Sequence, residues 1–474
     1  MLKIKSKASL TEGPIFIRLL LFVLPLVLSG VLQVMYNMAD NIVVGRFSGD
    51  YDALGAVGST ASFTTLMTNF MISISAGAGV VVAQFYGAKN DREVSRTVHT
   101  SMTLAVVGGV VMMGLGLLLI RPMLTVMGTQ DIYYDKAVLY ATIICFGTPA
   151  TSILNFGASI LRSIGDSKSS LYVLASSGLV NVGLNLFFVV VCNMSVEGVA
   201  MATVIAQYIS ATAIVLILLK RKNQSYTLSF KKLKLEMSIV SRIMKIGLPI
   251  AFQSALFSIS NLVVTRAVNT FPPAVVSAKT IAFNIEAITY TVMNAFANAT
   301  MTFVGQNYGA QKYRRINRIF VWSVLQVALA GILVAQTEIF FGRQLASMYI
   351  DAADPSREAI IQAVLEIFNI MLATYFLCGI MEVISGILKG LGFSLSSMIA
   401  SLIGLVLRVC WLLFVTPIEK FHTVFGLFLS YTLSWSLTIV LLVVCCVYVW
   451  RKLNISKLAR EEKTSETKSE LNAI

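Results

Sequence analysis

The sequence predicts an all-α polytopic membrane protein: twelve transmembrane helices in two six-helix bundles, related by a pseudo-two-fold axis along the membrane normal. Composition comes first, since 57% of the 474 residues are hydrophobic and only 13% charged, far from a soluble domain. Second, residues 101–120, 198–219 and 424–450 form uncharged runs of 20, 22 and 27 residues. About 20 apolar residues suffice for a helix to cross the hydrocarbon. Third, the second half repeats the first in the same order. A shift of 220 sets Gln33 on Gln253, Asn41-Ile-Val-Val on Asn261-Leu-Val-Val and Arg46 on Arg266. At 222, Gln84-Phe-Tyr-Gly-Ala falls on Gln306-Asn-Tyr-Gly-Ala, and at 227, ASILRSIGDSKSS (158–170) falls on SGILKGLGFSLSS (385–397). Six spans per half is an even number, so both halves begin on the same side and share one orientation.

Taken in order, the chain opens with a short basic tail, 1–14, MLKIKSKASLTEGP. The N-terminal bundle follows over 15–219, with spans near 19–45, 53–83, 97–120, 136–161, 169–193 and 198–219. The first contains Pro25, and such breaks are tolerated where neighbouring helices satisfy the backbone. It is too long, and lacks the small-residue cleavage site, for a signal peptide. The second span carries small-residue surfaces, ALGAVGSTAS and SISAGAGVVVAQ, that permit close helix contact. A basic linker, 220–245, joins the halves. The C-terminal bundle, 246–450, has spans near 246–270, 274–304, 319–341, 359–386, 394–417 and 423–450. The tail, 451–474, is charged, poor in apolar residues and expected to be disordered beyond its first turns.

The net charge of +14 could suggest nucleic acid, but its placement argues against that. Of 37 Lys and Arg, 28 fall in the tails and loops of one side, 7 on the other, and Lys279 and Arg408 inside spans. Positive charge marks the cytoplasm. Both termini are therefore expected inside a plasma membrane, the basic excess is topological, and no nucleic-acid partner follows. The six cysteines sit in apolar stretches without C-x-x-C spacing, and His99 and His422 are too scattered for a metal site. No acid–His motif supports an enzyme. No G-x-x-x-x-G-K-[ST] loop marks an ATP-binding module, so no cofactor and no ATP-binding subunit are expected.

Polar residues inside spans carry the functional signal. A carboxylate in lipid costs roughly 2.5–3.5 kcal/mol on insertion scales and is usually kept for ion or proton handling. Asp40 is the single acid of residues 25–46, and either serves that role or lies at the helix end among headgroups. Asn181 and Asn185 are spaced i, i+4 on one helical face, as structural amides or as carbonyl oxygens for a cation. The repeat does not conserve its acids. Asp40 meets Ser260, Glu286 meets Thr64 or its neighbours, and Glu382 meets Asn155. Duplicated helices would keep structure, so unmatched acids point to specialisation.

On these residues the chain resembles the multidrug and toxic compound extrusion (MATE) family of cation-coupled exporters, from about residue 12 to 450. The resemblance is carried by Pro25 with Asp40 and Gly45, ALGAVGST, VAQFYGA, VGQNYGA, ILRSIGDSKSS, NVGLNLFFV, GVAMATVIAQ and ILKGLG. It implies two six-helix bundles around a central cavity. It also implies an N-half polar cluster for the coupling proton or sodium, here Asp40, Asn181, Asn185 and Thr203. Many relatives carry Asp where this chain has Asn185, so Asp40 alone must titrate or hold Na⁺. Acids that some relatives carry in the seventh and tenth spans appear here as Gln253 and near Cys378, with Glu382 one turn on. Gln33, Gln253, Glu286 and Glu382 are the substrate-cavity candidates, and Lys279 and Arg408 are bases that could pair with those acids.

The function implied is secondary export of organic cations or amphiphilic drugs in exchange for inward H⁺ or Na⁺, by a monomer in the bilayer. Paired repeats of this kind are typical of carriers that alternate access. A lipid-linked saccharide flippase of the same broad superfamily is the alternative. Flippases usually favour a strongly basic cavity, whereas most bases here lie in loops.

Overall fold

In the computed structural model the described residues are all but 1–9, 48–51, 222, 353, 456, 460 and 463–474, with the side chains of 41, 44–47 and 54 also left aside. The start of the N-terminal tail and the end of the C-terminal tail therefore lie outside the described residues. Twelve spans appear where the sequence places them. In the first half they are α1 (Ile15–Phe47), α2 (Ala53–Gly87), α3 (Asp91–Val126), α4 (Asp131–Ser163), α5 (Ser167–Leu186) and α6 (Val196–Lys220). In the second half come α7 (Met237–Val268), α8 (Pro273–Gly309) and α9 (Tyr313–Phe340), then a short connector, α10 (Gly342–Ser347). The tenth span is α11 (Arg357–Met371) joined through a single 3₁₀ turn to α12 (Tyr375–Gly390); α13 (Ser394–Cys410) and α14 (Val424–Lys452) complete the set. Eleven of these spans are long and apolar enough to cross a membrane. The remaining one, α8, carries Lys279, Glu286, Asn294, Asn298, Gln306 and Asn307, and the polarity that lowers its hydropathy is buried along its second half.

The repeat is physical as well as textual. The chain turns after α2 and α8 in the same way, with Lys89 at φ 53° and Gln311 at φ 56°. The fifth span of each half ends in a π-helical turn, Phe187–Val191 and Trp411–Val415. The ILRSIGDSKSS motif is a helix–turn–helix in which Gly165, at φ 95°, closes α4 with a left-handed residue; Gly392 does the same at φ 91°. Only the first copy has a polar cap. Asp166 accepts from Ser169 N at 3.0 Å and from the Ser169 hydroxyl, and it pairs with Arg221.

That cap carries a pH dependence. Burial alone would raise the pKa of Asp166, but hydrogen bonds from Ser169 and Arg221 outweigh it and hold the carboxyl below its ordinary range. A group depressed in the folded state stabilises above its unfolded pKa, about 3.9, and that contribution disappears as pH falls through the folded value. Asp166→Ala is therefore expected to cost about 1–2 kcal/mol at neutral pH. The difference from wild type should begin to shrink below about pH 4 and vanish only once pH has fallen through the lower folded value. Thermal unfolding in detergent across pH measures it, and a gap that persists in acid contradicts the ionised cap.

Two compact units emerge, one of residues 28–251 and one of 1–27 with 252–474. The boundary does not follow the linker, as the expected division at 15–219 and 246–450 had it. Each half surrenders the start of its first helix to the unit built from the other half. Hydrogen bonds and packing explain this. Leu10 N donates to Gln306 Oε1, Asn307 Nδ2 to Leu10 O, and Gln326 Nε2 to Phe16 O, while the rings of Phe22 and Phe303 meet edge to face at 5.7 Å. These tie the beginning of α1 to α8 and α9. In the other unit Arg242 Nη2 donates to Gln84 Oε1 at 2.7 Å, holding the start of α7 to α2. The backbones there are so close that a Cβ at Gly77 would sit 2.7 Å from Gly247 N. The glutamine of each repeated Q-x-Y-G-A motif is thus the anchor for a helix start, and both helices pass between units two residues beyond a proline, Pro25 and Pro249.

The linker is not a free tether either. Leu228 N bonds Leu218 O, Ser229 N bonds His99, and Glu236 pairs with Arg96, all within the 28–251 unit. The tail after α14 continues as short helical pieces to residue 462, with Ile455 fully buried and Arg314 N donating to Glu462.

Candidate functional site

In the 28–251 unit, α4 packs on α2, α3 and α6, and α5 lies against α6. The second part of α1 meets α5 through Tyr36, whose hydroxyl donates to Ala175 O at 3.1 Å. The ring lies over Gly178, where an added Cβ would collide with the ring carbons. One helical turn beyond Tyr36 on the same face is Asp40. Its Oδ1 accepts from Asn185 Nδ2 at 2.5 Å. Asn185 is wholly buried, and its own Oδ1 has no hydrogen-bond donor. One turn back along α5, Asn181 Nδ2 donates to Thr203 Oγ1 of α6 at 3.3 Å, and that hydroxyl donates on to Val199 O at 2.9 Å. The four residues expected to form a cluster are thus linked two by two, Asp40 to Asn185 and Asn181 to Thr203, with both asparagines on one face of α5.

A carboxylate, a buried amide oxygen without a donor and a hydroxyl oxygen are all hard ligands. Such a set suits a proton on Asp40 or a small hard cation, and holds no soft ligand for a transition metal. Gln33 lies in this same unit, exposed, with Nε2 donating to Asn37 Oδ1 at 3.3 Å.

The remaining substrate candidates belong to the other unit, where α12 packs on α8, α9 and α14. Gln253 is buried and donates to Ser401 Oγ at 3.0 Å. Glu286 of α8 accepts from the hydroxyl of Tyr375, a buried residue at the start of α12. Tyr375 rests edge-on against Trp435 at 5.2 Å, and Tyr431 meets the same indole at 5.7 Å. Glu382 is buried on α12. Among the described residues, no ion pair joins either acid to Lys279 or Arg408, so the proposed charge pairing is corrected. The reason is local. Lys279 donates to Thr265 Oγ1 at 3.1 Å and lies over the Phe283 ring at 4.9 Å. Arg408 is 2% exposed, with Cζ 4.5 Å from the Tyr431 ring centre and 5.8 Å from that of Phe257. Ring faces, not carboxylates, take up both cations.

Sequence reasoning missed a third acid. Glu338, near the end of α9, is 6% exposed, and neither carboxylate oxygen is hydrogen-bonded. The Thr289 hydroxyl of α8 lies beside it. Glu338 lies in the last turn of an apolar run, where only the packing of α9 on α8 puts it inside. Tyr375, whose hydroxyl meets Glu286, and Tyr36, one turn from Asp40 on α1, carried no sequence signal.

Comparison with known proteins places this architecture. Over 454 residues the chain is 26% identical to the probable multidrug resistance protein YoeA of Bacillus subtilis, covering 92% of this chain and 95% of that one. It is 22% identical over 363 residues to the FAD transporter of Shewanella oneidensis, covering 74% and 77%. Among solved structures, it superposes with a TM-score of 0.86 on a MATE protein crystallised with MaL6, at 19% identity and 96% and 100% coverage. An outward-facing multidrug resistance MATE family transporter of the MOP superfamily gives 0.85, at 20% identity and 97% and 100% coverage. The MatE family profile matches residues 25–187 and again 249–412, one match in each half of the repeat. Twelve spans, a duplicated six-helix sequence and a profile matching both copies leave one conclusion: the chain belongs to the MatE family, whose members are membrane transporters and not enzymes.

Proposed function

We propose that the protein is an antiporter that exports organic cations or amphiphilic compounds in exchange for inward H⁺ or Na⁺. The carrying observation is the contact of Asp40 with Asn185, a partly buried carboxylate on a buried amide whose oxygen has no donor. Protonating Asp40, or placing Na⁺ between its carboxylate and the amide and hydroxyl oxygens, removes a net negative charge from α1. A ligand shifts a conformational equilibrium only by its differential affinity for the two states. The inward ion therefore acts by favouring the state in which α1, α5 and α6 close around it.

The substrate class rests on the other unit. Glu286, Glu338 and Glu382 with Tyr375 and Trp435 form a carboxylate and aromatic set suited to an organic cation. The names of relatives do not choose for this chain, since they include an FAD transporter as well as multidrug resistance proteins. In the same reading both termini face the cytoplasm and the working unit is a monomer.

The test is ethidium or fluoroquinolone movement in proteoliposomes under separately imposed proton and sodium gradients. One of the two gradients is expected to drive efflux, naming the ion. If folded protein moves no cationic dye under either gradient, the reading fails in favour of a lipid-linked substrate.

A further inference from the structure

The most basic stretch of the chain, the linker before α7, encloses space against α3. A single 3₁₀ turn, Phe230–Lys232, leads into an extended segment that runs to the start of α7. It is fastened at two points. Ser229 N donates to His99 Nε2 at 3.0 Å, and the other ring nitrogen lies 2.6 Å from Ser95 O. Further along, Arg96 grips Glu236 with Nε and Nη2. Between these fastenings lies a cavity of about 360 Å³. One wall is Ser95, Arg96, His99 and Thr100, and the other is the 231–236 stretch.

Four cations border this space against a single carboxylate, Glu236. Arg96 holds that carboxyl below its ordinary range, so it stays ionised and engaged. Lys231, Lys232 and Lys234 are exposed and have no carboxylate partner among the ion pairs of the described residues. An independent feature points the same way. Thr100 lines the cavity at 1% exposure, and its hydroxyl has no hydrogen-bond partner. A buried hydroxyl left unmatched is costly unless something arrives to accept its proton.

We infer that this cavity binds the phosphate of an anionic phospholipid headgroup, with Lys231, Lys232, Lys234 and the Thr100 hydroxyl as donors. The choice of a lipid over a free anion comes from the residues between the lysines. Phe230, Leu233 and Met237 are 64%, 37% and 72% exposed. Apolar side chains interleaved with lysines belong at a membrane interface, stems and rings in the acyl boundary and ammonium groups on phosphates. A bound lipid would then hold the linker to α3 and fix the start of α7, independently of which ion or substrate is transported.

The full-length protein in nonionic detergent is unfolded thermally in the presence of dihexanoyl phosphatidylglycerol, dihexanoyl phosphatidylcholine or inorganic phosphate. Saturable stabilisation by phosphatidylglycerol is expected, with none from phosphatidylcholine and at least tenfold weaker action by phosphate. The triple variant Lys231→Gln, Lys232→Gln, Lys234→Gln should raise the half-saturating lipid concentration at least tenfold. Thr100→Val, which removes only an unsatisfied hydroxyl and should fold, should raise it several-fold. A control with Arg451→Gln, Lys452→Gln and Lys457→Gln removes equal charge elsewhere and should change nothing. Equal stabilisation by phosphate and lipid, equal loss in the control, or no stabilisation at all would each overturn the assignment.

Discussion

Asp40→Asn is expected to abolish gradient-driven export while leaving the protein inserted and folded. The substitution is nearly isosteric, and the new amide oxygen can still accept from Asn185 Nδ2, so the junction of α1 with α5 keeps its geometry. What disappears is the charge. No carboxylate remains on this face to exchange a proton, and Na⁺ loses its one anionic ligand, because Asn185, Asn181 and Thr203 are all neutral. The fall should exceed tenfold in initial efflux rate under the driving gradient, with the thermal midpoint close to wild type. Substrate binding at equilibrium, read by dye fluorescence in detergent, should persist, because the carboxylates of the other unit are untouched. Full gradient-driven export by this variant would remove Asp40 from the mechanism.

Gly178→Ala should produce a comparable loss without altering any polar group. The new methyl would fall where the Tyr36 ring now lies, against buried backbone of α5. The ring must leave, its hydroxyl bond to Ala175 O breaks, and overpacking of this kind costs about 1–3 kcal/mol. Tyr36 is one turn from Asp40, so displacing it moves the carboxylate away from Asn185. Export is expected to drop roughly tenfold, since a shift of an ångström at a positioned group is worth about two orders of magnitude at most. Adding Tyr36→Ala to Gly178→Ala makes room again and should recover part of the rate. Wild-type export by the single variant would show that the α1–α5 contact does not position the site.

Much of this protein is written in local pattern. Runs of 20 and more uncharged residues require helices, because a backbone in hydrocarbon must satisfy its own hydrogen bonds, and repetition of motifs at shifts of 220–227 requires two like halves. Asp40, Asn181 and Asn185 stood out because polar groups are costly in lipid, and only the family resemblance joined them with Thr203 into one expected set. Tertiary structure decided the rest. Periodicity says which face of a helix is polar, not which neighbour meets it, so Arg408 and Lys279 could be named as bases but not given their aromatic partners. Glu338 was hidden because burial at a span end depends on what packs there. The units divide within α1 and α7 and not at the linker, since Gln306, Asn307 and Gln84 hold helix starts from the opposite half. Covalent order fixes the duplication, but long-range hydrogen bonds and close helix packing assign each helix end to its unit.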